Sequence, residues 1–146
     1  MNDNIKIFYG EAGLRKISRF LIEDDDLMAG AFIAQWAVEE RKCCFIYYES
    51  EIPVAFILLS DLDYDPLNGH RRPRLLNFIY TSPPYRRMGY ASKLLDFTRS
   101  INIRFTAFCS NTISENLFKK KDFCINHMLT VHQCLELLTT CEWFVC

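Results

Sequence analysis

Arg86-Arg87-Met88-Gly89-Tyr90-Ala91 puts two guanidinium groups and a glycine between a strand-like apolar run and an amphipathic helix. At such a junction the first backbone N–H groups of the helix have no internal partner, and the macrodipole adds partial positive charge. An anion docked there gains backbone hydrogen bonds, and flanking arginines add charge-assisted ones. Gly89 lets the backbone approach a ligand where a Cβ would collide. The chemistry implied is a phosphate or pyrophosphate cradle; the plainer reading is a solvated helix cap with a packing glycine. Gly-x-x-x-x-Gly-Lys-Ser/Thr and Gly-x-Gly-x-x-Gly are both absent, which removes the common triphosphate loop and the usual dinucleotide fingerprint.

A second set of chemically capable residues is Cys124, His127, His132 and Cys134. Their spacing matches none of the common zinc patterns. On a strand, His127 would face away from His132 and Cys134. Ordinary strand residues explain them, and no metal is expected. A small metal-binding or regulatory protein stays open only as a remote alternative.

Several elements must position the arginine turn. Residues 5–9 form a short β-rich run, and Leu14, Ile17 and Leu21 recur at helical spacing within 11–22. Glu23-Asp24-Asp25-Asp26 then interrupts, and 27–41 reads as a very apolar helix packed on a sheet. The runs 43–49 and 53–62, separated by Ser50-Glu51-Ile52, predict an antiparallel hairpin. After a polar loop at 63–74, residues 75–81 are near-continuously apolar, the pattern of a strand covered on both faces. Tyr90, Leu94, Phe97 and Ile101 line one helical face beyond the turn. A strand at 103–109, a polar helix at 111–123 and one or two strands in 124–146 complete the string. Such alternation argues for a mixed α/β (α+β) sheet with helices on both faces.

The chain has 146 residues, half of them hydrophobic, with a formal net charge of -1. It is read as one domain, 1–146, able to bury a core without staples. No global field draws nucleic acid or an anionic membrane to it, and no stretch approaches the roughly 20 apolar residues that span a bilayer. The first ten residues lack the apolar core of a secretory signal, so a cytoplasmic (intracellular) protein is expected, with its seven cysteines reduced.

Arg86-x-x-Gly89-x-Ala91 fits Arg/Gln-x-x-Gly-x-Gly/Ala and resembles the coenzyme-A pyrophosphate loop of the GNAT superfamily, the general N-acetyltransferases. Thr81-Ser82-Pro83-Pro84-Tyr85 leads in and Ala91-Ser92-Lys93-Leu94-Leu95 leads out, as in the family. Downstream, 110–123 resembles the family's S-N-x-x-A-x-x-L-Y-x-x-x-G-F signature, with Ser110, Asn111, Leu117 and Phe123 in register. The resemblance implies a mostly antiparallel sheet of about six or seven strands with a layer of helices on each face.

It also implies acetyl-CoA as cosubstrate. Its pyrophosphate would rest on the N–H groups of Arg86, Arg87, Met88, Gly89, Tyr90 and Ala91, with Asn111 and Phe118 further along the cofactor. Its pantetheine arm would pair with Ile79, Tyr80 and Thr81, and a backbone N–H of that strand would hold the thioester carbonyl. A neutral amine attacks directly, and positioning supplies much of the acceleration.

Two departures stand out. The family's signature tyrosine, often the acid, is Phe118 here, and Asp122 replaces the glycine before Phe123. Tyr80, Tyr85 or Cys109 are candidates to protonate the leaving thiolate; alternatively solvent does so, since a CoA thiolate is a tolerable leaving group near neutral pH. The strand 75–81 has no glutamate to act as base; Asn77 can position water but cannot take a proton, and Asp61, Asp63 and His70 lie nearby in sequence. Tyr80 and Asn77 are therefore the candidate catalytic residues. The acceptor is expected to be a small-molecule or peptide/protein amine, and the acidic loop 23–26 would favour a cationic one. A CoA-binding or protein-interaction module without efficient turnover is the alternative. The apolar end TTCEWFVC is either a last strand or a contact for a homodimer.

Overall fold

β-branched and aromatic runs set the architecture, those at 43–49 and 52–61 being buried on both faces. The computed structural model describes residues 3–20, 27–61, 74–101, 105–109, 124–126 and 142–145. In order these give β1 (Ile5–Tyr9), α1 (Gly10–Ser18), α2 (Leu27–Ala37), β2 (Cys43–Glu49), β3 (Ile52–Asp61) and β4 (Arg74–Thr81). A 3₁₀ turn (Pro83–Tyr85), α3 (Tyr90–Ser100), β5 (Phe105–Cys109), β6 (Cys124–Asn126) and β7 (Glu142–Val145) follow. They build one seven-stranded sheet in the order β1-β2-β3-β4-β5-β7-β6. Its pairings are antiparallel except that between β4 and β5, which is parallel. The fold is the mixed, mostly antiparallel one expected, with both tail strands present.

Each face of the sheet carries its own core. Phe45, Ile57, Leu59, Leu76 and Ile79 meet Tyr90, Leu94 and Leu95 of α3 on one side. On the other, Cys44, Ile46, Phe56, Leu58, Phe78 and Tyr80 meet Ile17 of α1 and Trp36 of α2. Gly13 lets α1 lie close, since a Cβ there would come within 3.2 Å of the Cys44 sulfur and 3.3 Å of the Phe8 carbonyl.

The hairpin turn is tighter than the sequence suggests. Ile52 already pairs with Glu49, so Ser50 and Glu51 alone make the loop, with φ of 48° and 70°. Positive φ at both positions is what a type I′ hairpin turn demands, and here it is met without asparagine or glycine. The register then breaks, Tyr48 facing Pro53 and Tyr47 facing Ala55. Pro53, which has no N–H for the ladder, sits beside this irregularity.

α2 ends at Ala37, earlier than the apolar run implies. The Glu39 N–H bonds the Trp36 carbonyl, tightening the last turn, and the buried Lys42 ammonium reaches the Glu39 carbonyl and the Glu11 carboxylate. Trp36 is fully buried, and its indole N–H donates to the Leu59 carbonyl at 3.0 Å. That bond fixes α2 to β3 at one point.

Trp36→Ala should cost about 3–5 kcal/mol by cavity formation. Trp36→Phe, which removes the indole donor to the Leu59 carbonyl, should cost about 1–3 kcal/mol, both read by urea unfolding. Burial, reinforced by neighbouring Cys43, pushes the Cys44 thiol from an ordinary 9.0 up to about 12. Below pH 9 neither folded nor unfolded Cys44 ionises; above it only the unfolded chain loses that proton, so stability declines until about pH 12. Unfolding of wild type and Cys44→Ala compared across pH 8–11 should give a shallower alkaline decline in the variant.

Candidate active site

One extra residue in β4 opens the sheet. Leu59 pairs with Leu76 and Leu58 with Phe78, so Asn77 has no opposite number and forms a bulge. The bulge reverses the side-chain phase: Leu76 and Ile79 belong to the α3 face, Phe78 and Tyr80 to the α1/α2 face. The pairing of β4 with β5 stops at the same place. Arg74, Leu75 and Leu76 pair with Phe105, Thr106 and Ala107, and from Asn77 to Thr81 no described β5 residue is in register. Beyond this point the edge of β4 is unpaired on that side among the described residues and forms one wall of a wedge.

Backbone polarity inside the wedge follows from the β3 side. The Ser82 N–H donates to the Val54 carbonyl at 2.9 Å, which makes this a hydrogen-bonded pair. Alternation along an antiparallel ladder then turns Phe78 and Tyr80 toward β3, and Ile79 and Thr81 toward the side β5 has left. The Thr81 carbonyl agrees, since it accepts Arg86 Nε at 2.9 Å rather than a β3 donor. The peptide groups of Ile79 and Thr81 therefore line the wedge, while the Tyr80 ring packs away from it among Phe56 and Phe78.

Beyond Thr81 the chain turns sharply into α3. The Tyr85 N–H bonds the Ser82 carbonyl and the Arg86 N–H that of Pro83, closing the 3₁₀ turn. Arg87 and Gly89 both take left-handed backbone, φ 62° and 85°. For arginine that conformation costs about 1–2 kcal/mol, strain of the kind concentrated at ligand-holding turns. A Cβ on Gly89 would meet nothing within 4 Å, so glycine is needed there for its φ and leaves open space beside the backbone. The first helical bond runs from the Lys93 N–H to the Gly89 carbonyl, which leaves the N–H groups of Tyr90, Ala91 and Ser92 ahead of the ladder. No side chain caps this end.

The two arginines divide. Arg86 folds back: besides its bond to Thr81, its guanidinium lies 5.4 Å from the Tyr80 ring centroid. Arg87, beside the exposed Met88, is exposed. Tyr90 is buried on the α3 face against Tyr47 and Tyr85, and its hydroxyl donates to the Glu49 carboxylate at 3.1 Å. Burial first, then that hydrogen bond, push its phenol above the ordinary range. Lys93 holds its ammonium 5.2 Å from the Tyr90 ring and 5.5 Å from that of Tyr47, a positive group one turn into α3. Arginine, lysine, uncapped N–H groups and an open glycine form an arrangement suited to a polyanion.

The sequence candidates thus fall into groups. Arg86, Arg87, Met88, Gly89, Tyr90 and Ala91 share the loop and the first turn of α3; Ile79 and Thr81 share the wedge; Asn77 is the bulge; Tyr80 faces the opposite layer. Asp61 ends β3 between the guanidinium groups of Arg41 and Arg74, at 3.7 Å from each. Asn111, Phe118, Asp63, His70 and the acidic loop 23–26 lie outside the described residues, as do His127, His132 and Cys134. Among the described residues no group of three metal-ligating side chains occurs, and no helix is long and apolar enough to cross a membrane.

Ser60 escaped the sequence reading. It is buried at the bulge, its hydroxyl 2.7 Å from Asn77 Oδ1. Its signal was present: within 53–60 it is the single polar residue of an otherwise apolar run.

Solved structures share this architecture. A GNAT family acetyltransferase from Elizabethkingia anophelis with acetyl-CoA bound aligns with a TM-score of 0.65 at 14% identity, covering 98% of this chain and 97% of that one. The Bacillus subtilis N-acetyltransferase YlbP in complex with coenzyme A gives 0.62 at 12% identity, covering 97% and 95%. The aminoglycoside 6′-N-acetyltransferase AAC(6′)-IG of Acinetobacter haemolyticus gives 0.59 at 20%, covering 87% and 94%. No curated protein matches the chain by sequence. The model of the acetyltransferase (GNAT) family matches residues 10–123, most of the chain, and together with the parted β4–β5 pair and the loop into α3 this makes the protein a member of the GNAT acetyltransferase family.

Proposed function

We propose that this single-domain chain transfers an acetyl group from acetyl-CoA to a primary amine by direct attack in a ternary complex. The observation that carries the reading is the continuity of two features. The wedge lined by the Ile79 and Thr81 peptides runs directly into a turn with two left-handed residues and the uncapped start of α3. A ligand with a peptide-like arm and a pyrophosphate head matches both. Acetyl-CoA has these parts and supplies an acyl carbon activated as a thioester.

The chain's own groups then have separable roles. The N–H groups around Gly89, Tyr90 and Ala91 receive phosphate oxygens, with Arg87 and Lys93 adding charge. Arg86 acts as a strut, tying the turn to the end of β4. Ile79 and Thr81 offer backbone hydrogen bonds to the arm, and an N–H from this edge polarises the acyl oxygen. Asn77 and Tyr80 flank the reacting end of β4 as candidate catalytic residues, Tyr80 through a hydroxyl on the α1/α2 face. Asn111 and Phe118 are proposed at the cofactor on sequence grounds alone. Relatives described as aminoglycoside N-acetyltransferases favour a small-molecule amine as acceptor. The alternative is a CoA-binding module of low turnover, favoured by the absence of a hydroxyl at Phe118.

Calorimetry with CoA tests the cradle. Gly89→Val should weaken binding by about tenfold or more, because valine resists φ near +85°. Arg87→Ala should weaken it by about fivefold, with less salt dependence than wild type. CoA affinity unchanged in both variants would refute the loop assignment. Release of free thiol with a broad amine panel should then mark the chain as an enzyme; binding without release would support the low-turnover module.

A further inference from the structure

We propose that Ser60 is a positioning residue that turns the Asn77 carboxamide into a fixed hydrogen-bond donor toward the acyl oxygen. This inference rests on the acetyl-transfer reading above. Asn77 is the bulge residue, and its position in β4 is the one at which the pairing with β5 ends. Ser60 and Phe78 belong to the α1/α2 side of the sheet, and the bond between Ser60 and Asn77 puts the carboxamide on that side too. A polyanion bound at the start of α3 occupies the opposite face, so an amine has the α1/α2 side of the wedge to approach from. Asn77 therefore lies where acyl group and amine would meet.

The chemistry of the pair sets the direction of the carboxamide. The Ser60 hydroxyl has one hydrogen, and it donates that hydrogen to Asn77 Oδ1 at 2.7 Å. Ser60 is 1% exposed, so breaking this bond strands a polar group away from water. With Oδ1 committed, only the Nδ2 hydrogens remain to face the wedge. The side chain becomes donor-only there. It is suited to an oxygen that gains negative charge and unsuited to taking a proton from the amine.

In the transfer, the amine nitrogen forms the new C–N bond and the carbonyl electron pair moves onto oxygen. As the C=O re-forms, the C–S bond breaks with its electrons leaving on sulfur. The amine proton passes through water, and the thiolate is protonated from solvent. Asn77 Nδ2 and a β4 backbone N–H carry the charge on oxygen during the first movement; Ser60 never touches the substrate. A second anchor steadies the same place, since the Trp36 indole holds the carbonyl of Leu59, the residue opposite Leu76.

The test uses the full chain with two readouts: steady-state thiol release, and calorimetric affinity for CoA and for acetonyl-CoA, a ketone that keeps the acyl oxygen but cannot transfer. Asn77→Ala should lower kcat by about 100-fold, the usual loss for one oxyanion donor, with CoA affinity unchanged. Asn77→Asp still accepts from Ser60 but sets a carboxylate against the developing charge, so it should be slower than Asn77→Ala. Ser60→Ala should lower kcat by about tenfold at constant KM for acetyl-CoA, and Ser60→Thr should restore it. Both alanine variants should lose about fivefold in affinity for acetonyl-CoA and nothing for CoA. Thermal melting excludes collapse of the bulge. Wild-type kcat and wild-type ketone affinity in Ser60→Ala and Asn77→Ala would overturn this assignment alone. Wild-type chain that binds no CoA would overturn the acetyl-transfer reading and this inference with it.

Discussion

The single extra residue at Asn77 governs the working end of this protein. A β-strand has a side-chain period of two, so an insertion of one residue flips everything after it. Leu76 lies under α3, yet Phe78 and Tyr80 lie under α1 and α2. The same insertion ends the parallel ladder with β5 after three residues, leaving peptide groups that a regular sheet would have consumed. The unpaired β4 edge and the placement of Phe78 and Tyr80 against Phe56 are consequences of one bulge. Among the described residues it is pinned by the Ser60 hydroxyl of β3 and, one residue away on β3, by the Trp36 indole bond to Leu59.

The second constraint is conformational and sits in the turn. Arg87 accepts left-handed backbone at a cost, and Gly89 accepts it freely. Tertiary contacts hold this geometry rather than local propensity. Arg86 ties the turn back to β4, and the Tyr90 hydroxyl ties the start of α3 to Glu49 at the end of β2. Glu49 is the last residue before the Ser50-Glu51 turn, so the hairpin and the turn into α3 are mechanically joined. A weakened hairpin should be felt at the first turn of α3 before it is felt in the core.

Much of this was legible in the residues, for identifiable reasons. Strands β2, β3 and β4 announce themselves because both faces are buried, and such runs are apolar throughout. That same property hid the bulge. In LLNFIYT every position suits either face, so the phase change at Asn77 leaves no trace in the hydrophobic pattern. Tyr80, read from sequence as adjacent to the arm, turns out to face the other layer because of that shift. The end of α2 was over-extended because Val38, 82% exposed, looks like core in a list of residue types. Glu49 could not be connected to Tyr90 either, since their hydrogen bond spans 41 positions.

The paired arginines show how a motif compresses physics. In sequence, Arg86 and Arg87 look like two copies of one function, extra charge for an anion. Their backbones differ: Arg86 is extended and returns toward β4, while Arg87 is left-handed and opens to solvent. A guanidinium that lies 5.4 Å from the Tyr80 ring centroid and bonds a carbonyl through Nε orients the turn. The neighbouring one stays exposed, available for the phosphate contact proposed above. Loss of Arg86 should therefore disturb the geometry of every donor in the turn at once, whereas loss of Arg87 should subtract one charge. Lysine would substitute tolerably at 87 and poorly at 86, because an ammonium can pair with phosphate but cannot both stack and bond as the planar group does.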